Sequence, residues 1–170
     1  MNARVKDIVA KLYRPPRQGR QLIALSRTDA ERIPLVAGVA MISITAPEKA
    51  SAQVPEYKSL LRLSFADVDF LSESLSTKAA AKVAVAMTKE DARKILAFVE
   101  ALPPFIHTLL VHCEGGFSRS CGVVTALHQL YGYDVEEARL VQANQSVTKV
   151  LLEVAQATHG KKILRPRKNK

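Results

Sequence analysis

Two cysteines in 170 residues are too few for a disulfide framework, and a chain of this length can bury a core without covalent staples. No uninterrupted apolar run is long enough to span a bilayer. The longest mostly apolar stretch, from Ile33 to Ala46, is broken by Pro34, Gly38 and Ser43. A secretory leader is not expected either, because Asp7, Lys11 and Arg14 interrupt any apolar stretch near the start. There is no internal repeat, and His107, His128 and His159 lack the spacing of metal ligands. These features point to a protein of a reducing cytoplasm, and no metal or other cofactor is signalled by the sequence.

Acidic residues are missing from residues 161–170, which carry +6, and nearly so from residues 1–20, which carry +5. Since the net charge is +9, the 140 residues between them carry −2. The basic character belongs to the ends. Basic ends can attract nucleic acid or an anionic membrane. No aromatic interleaving or nucleic-acid module accompanies them, so solvated tails are the simpler expectation.

What is present is a stretch running from Val111 to Ser120, Val-His-Cys-Glu-Gly-Gly-Phe-Ser-Arg-Ser. Apolar residues lead into it and helix-forming residues lead out, the pattern of strand, tight loop and helix. Gly115 and Gly116 permit positive φ, so successive N–H groups can turn inward as an anion nest. The helix beginning near Ser118 adds unpaired N–H groups and the positive end of its dipole. Arg119 offers a planar fork suited to phosphate oxygens. A cysteine at the floor of that positive field, Cys113, is favoured as thiolate and hence as nucleophile.

This Cys-x5-Arg stretch, preceded by His112 and followed by Ser120, resembles the phosphate-binding loop of cysteine-dependent protein tyrosine phosphatases, in particular their small bacterial dual-specificity-like branch. The resemblance implies hydrolysis of a phosphate monoester through a phosphocysteine intermediate. Cys113 would be the nucleophile, Arg119 the transition-state clamp, and Ser120 a hydrogen-bond donor to the sulfur. His112 would support the loop. Residues 114–119, namely Glu114, Gly115, Gly116, Phe117, Ser118 and Arg119, would surround the substrate phosphate, with Glu114 and Phe117 shaping the rim or the packing of the loop. The family's general acid is an aspartate on a loop beyond a strand; Asp67 is the matching position and Asp69 the competitor. Cys121 is expected to be a small packing residue. Asn144 could hydrogen-bond the loop or cap a helix. The expected partner is a phosphorylated substrate, most simply a phosphotyrosine protein. A phosphoinositide, nucleotide or RNA 5′-phosphate remains open, as does a phosphate-binding module with little catalysis.

The remaining elements follow from periodicity and punctuation. Helices are predicted over Asn2–Tyr13, around Lys78–Ala86, from Thr88 to the Pro103–Pro104 pair, over Ser118–Tyr131, over Val135–Val141 capped by Asp134, and over Gln142–Thr158. Strands are predicted over Gln21–Leu25, Val36–Thr45, Leu60–Phe65 and Thr108–His112. Residues 70–87 read as an insert, either a lid or a surface excursion. The expected fold is a single α/β domain with a mostly parallel sheet of four to five strands flanked by helices. Its parts would be a basic N-terminal segment (1–20), a phosphatase-like domain (21–160) and a basic C-terminal tail (161–170).

Overall fold

In the computed structural model, which describes residues 1–160, four parallel strands form one sheet in the order β1-β4-β2-β3. They are β1 (Gln21–Ser26), β2 (Val39–Thr45), β3 (Leu60–Ser64) and β4 (Thr108–Cys113). The basic stretch expected at 161–170 lies outside the described residues. Every residue of β2 and β4 is buried, as parallel strands covered on both faces should be. β3 is an edge strand, short and with Arg62 exposed, features that discourage pairing with another chain. The predicted second strand starts later than its composition suggests. Gly38 has φ +76°, and the His107 ring occupies the space of a side chain there, so the extended run begins at Val39.

Side chains alternate across the sheet. Leu22, Ala24, Ile42, Ile44, Leu109 and Val111 face α4 (Lys89–Glu100), α5 (Arg119–Tyr131) and α6 (Gln145–His159). Ile23, Leu25, Met41 and Leu110 face the other way, onto α1 (Ala3–Leu12), whose Val5, Ile8 and Leu12 are fully buried, and onto Ala30 of the single-turn α2 (Arg27–Ala30). The N-terminal basic segment is therefore mostly a helix of the core. Much of its charge is used internally. Arg4 and Lys11 pair with Glu136, and Arg20 donates to the carbonyls of Leu102, Pro103 and Ile106.

Local signals set the helix ends. Thr88 and Asp91 form a reciprocal capping box at the start of α4, and Gly132, at φ +68°, closes α5. The helix expected over Val135–Val141 is only a single 3₁₀ turn, Glu137–Arg139. Asp134 does not cap it. Its backbone instead exchanges hydrogen bonds with Arg20 and Leu22, extending the pairing of β1, while Glu136 is engaged by Arg4. The insert holds α3 (Thr77–Lys82), which buries nothing, then a 3₁₀ turn, Val83–Val85. The end of the insert returns to the site, where Ala66 N–H donates to the Val85 carbonyl at 2.8 Å. No described helix is long and apolar enough to cross a membrane.

Candidate active site

β4 is one of the two inner strands, and its last residue is Cys113. Alternation points this side chain toward α5 and His112 toward the opposite face. His112 is fully buried, with Nε2 2.7 Å from the Ser43 hydroxyl on β2 and Nδ1 3.4 Å from the carbonyl of Cys113. A carbonyl only accepts, so Nδ1 carries the proton and the Ser43 hydroxyl donates to Nε2. Burial pushes the imidazole down to about 4, which keeps it neutral and tied to the backbone at the root of the loop.

From Cys113 the chain turns through residues 114–118 into α5. Gly116 is the loop glycine with positive φ, +78°. A Cβ there would lie 2.4 Å from the Ser26 nitrogen and 2.5 Å from the Leu25 carbonyl carbon, because the loop is pressed against the end of β1. At Gly115 the obstacle is a side chain only, since the Phe117 ring lies over the position a Cβ would take. Phe117 is 52% exposed, so its ring lies on the rim rather than behind the loop.

The thiol sits inside this turn. Gly116 N–H points at Cys113 Sγ at 3.3 Å, and the Ser120 hydroxyl lies 3.2 Å from the same sulfur. Arg119 is almost wholly buried and anchored by Nη1, which donates to the Phe65 carbonyl at 2.8 Å. Its Nε is buried without a hydrogen-bond partner among the described residues. An orphaned guanidinium N–H is costly in a protein interior unless an acceptor meets it, so this edge of the fork is chemically suited to an oxyanion.

Asp67 follows β3 by three residues and faces the same place. Its Oδ2 lies 3.9 Å from Arg119 Nε, and its Oδ1 accepts from the Ser118 hydroxyl at 2.7 Å and from Asn144 Nδ2 at 3.1 Å. Asp69 is turned elsewhere. Its Oδ1 accepts from the Ser146 hydroxyl at 2.5 Å and from Leu71 N–H at 3.3 Å, which makes it a tie between the loop and α6.

Glu114 directs its carboxylate away from the thiol, to Arg27 at 3.2 Å and Lys49 at 3.1 Å. Burial raises this carboxyl, but the hydrogen bonds from Lys49 and Arg27 outweigh it and hold the group below its ordinary range. Arg27 also donates to the carbonyls of Ala50 and Ser51, so the pair fastens the thiol loop to residues 49–51. Cys121 is buried behind the loop, its sulfur 3.5 Å from the Gly116 carbonyl and 3.3 Å from that of Arg139. Burial, with the neighbouring Cys113, pushes its thiol up to about 11. Asn144 bonds the loop through its backbone N–H, which donates to the Ser118 carbonyl, caps α6 through Val147 N–H, and in addition donates its side-chain amide to Asp67.

Of the residues singled out from the sequence, the structure sets the Ser120 hydroxyl beside the Cys113 sulfur and brings Ser118 and Arg119 to Asp67. Sequence reasoning missed the Phe65 carbonyl, Ser43, Arg27 and Ser146. A backbone carbonyl carries no sequence signal, but Arg27 directly follows a strand at its carboxyl end, where parallel sheets gather ligands. Among the described residues, no group of three or more His, Cys, Asp or Glu is arranged to hold a metal ion.

No family model matches the sequence, and no curated protein does. Among solved structures, the chain is similar to a crystal structure of PTPMT1 at TM-score 0.42 and 17% identity, over 81% of this chain and 94% of that one. A crystal structure of PTPMT1 in complex with PI(5)P is similar at TM-score 0.41 and 16% identity, with the same coverage.

Proposed function

We propose that this chain hydrolyses phosphate monoesters through a phosphocysteine intermediate, as a protein tyrosine or dual-specificity phosphatase. The observation that carries the reading is the convergence on one sulfur and one basic edge. Cys113 Sγ lies within reach of Gly116 N–H and the Ser120 hydroxyl, and the unpaired Nε of Arg119 lies 3.9 Å from Asp67.

In the first step the Cys113 thiolate attacks phosphorus in line. An S–P bond forms, the P–O bond to the leaving group breaks, and its electron pair stays on the leaving oxygen. Asp67, protonated on Oδ2, delivers that proton to the departing oxygen. The loop N–H groups and the Arg119 fork hold the three non-bridging oxygens throughout. In the second step water attacks the phosphocysteine, Asp67 takes its proton, and the S–P electron pair returns to sulfur. Ser120 donates to the sulfur and stabilises it as a leaving group.

The test is turnover of an aryl phosphate by the wild-type chain and by Cys113→Ser. Wild type should release phosphate and be inhibited by vanadate, while Cys113→Ser should release none yet still bind the ester. Retained turnover in Cys113→Ser would remove the nucleophile assignment. A wild-type chain that binds the ester without releasing phosphate would be a binding module. A panel of phosphotyrosine and phosphoserine peptides then separates tyrosine from dual specificity.

A further inference from the structure

The acid segment and the thiol loop are joined by one side chain from a third element. Asn144, immediately before α6 and 4% exposed, makes three connections at once. Its Oδ1 accepts from Val147 N–H at 3.1 Å, its Nδ2 donates to Asp67 Oδ1 at 3.1 Å, and its own N–H donates to the Ser118 carbonyl at 3.1 Å. Ser118 in turn donates its hydroxyl to the same Asp67 oxygen.

Two donors on Oδ1 fix the plane of the carboxyl group. Oδ2 has no hydrogen bond among the described residues and is the oxygen nearest Arg119. A helix cap needs only a side-chain oxygen, and serine or aspartate would supply it as well as asparagine. The amide nitrogen is what asparagine adds, and here it meets Asp67. The same first turn of α6 holds the loop a second time through Ser146 and Asp69.

We propose that Asn144 is a positioning residue for the Asp67 acid, holding Oδ1 so that Oδ2 faces the leaving oxygen. This rests on the phosphatase reading above. Asn144→Ser is the informative variant, because it keeps a preferred cap oxygen, adds no charge and lacks the reaching amide. Asn144→Asp is a second, near-isosteric variant that also caps but cannot donate when ionised.

The experiment compares kcat and KM for aryl phosphates with poor and activated leaving groups in wild type, both variants, Asp67→Asn and the Asp67→Asn/Asn144→Ser pair. Losing one hydrogen bond to the acid should lower kcat about tenfold for a poor leaving group. The loss should be within about twofold for an activated one, which needs little protonation in the transition state. In the Asp67→Asn background, Asn144→Ser should produce no further loss, as expected of residues that act through each other. A loss equal across leaving groups, a loss that adds to that of Asp67→Asn, or wild-type kinetics in both variants would overturn the positioning role while leaving the phosphatase reading intact. Wild-type protein that turns over none of the esters would overturn both.

Discussion

The carbonyl of Phe65 accepts a 2.8 Å hydrogen bond from Nη1 of Arg119, 54 positions later in the chain. Two residues after Phe65 stands Asp67, so one short segment beyond β3 both anchors the Arg119 side chain and carries the candidate acid. The geometry of arginine and acid is therefore shared: displacing the segment would move both. Its next residue, Ala66, is buried and held by the Val85 carbonyl, so the end of the insert braces the segment from the other side.

Asp67 and Asp69 lie two residues apart but have different surroundings, and their variants should behave differently. Asp67→Asn should lower kcat by about 10² to 10⁴ for poor leaving groups, the usual contribution of a positioned acid, and by much less for activated ones. Asp69→Asn weakens the tie to Ser146 and Leu71 and should cost about 1 kcal/mol of stability with no leaving-group dependence. Steady-state kinetics beside urea denaturation checks both. A leaving-group effect in Asp69→Asn alone would move the acid two residues along.

Gly116→Ala places a methyl group into backbone of β1 and forces a positive φ on a residue with a side chain. Strain and overpacking together should destabilise the fold by at least about 2 kcal/mol. Because Gly116 N–H points at Cys113 Sγ, vanadate affinity should fall as well. Denaturant midpoints and vanadate titration of the same variant measure the two losses.

His112 should give the stability a pH slope. Its folded value, about 4 because of burial, lies below the ordinary value of 6.5. Between these values the unfolded chain binds a proton that the folded chain does not. The contribution is thus fully present above about pH 6.5 and is lost as pH falls toward about 4, on the order of 3 kcal/mol across the window. His112→Asn removes the titrating group, so this part of the slope should vanish even though the variant is less stable throughout. Urea denaturation of both proteins at several pH values between 4 and 7 is the measurement.

The fold and the thiol loop were legible in the chain itself, because both rest on local rules. Thr88 with Asp91, Gly132 after Tyr131, and Pro103 with Pro104 mark helix ends wherever they occur, and β4 announces itself as a buried strand by its unbroken apolar run. The loop was readable because its parts lie within nine residues, from His112 to Ser120, so thiol, glycines and guanidinium belong to one strand-to-helix turn. Reading Asp134 as a helix cap failed where a tertiary demand prevailed, since β1 claims the backbone of that residue.

Tertiary structure decided what depends on chain segments far apart in sequence. Which of Asp67 and Asp69 faces Arg119, where Glu114 sends its charge, and what the Asn144 side chain donates to are set by partners 51 to 87 positions away. No local pattern encodes such pairings. They arise when packing brings the carboxyl ends of β3 and β4, with β2 between them, and the start of α6 to one edge of the sheet, and only then does each buried donor and acceptor find the partner that offsets its loss of water.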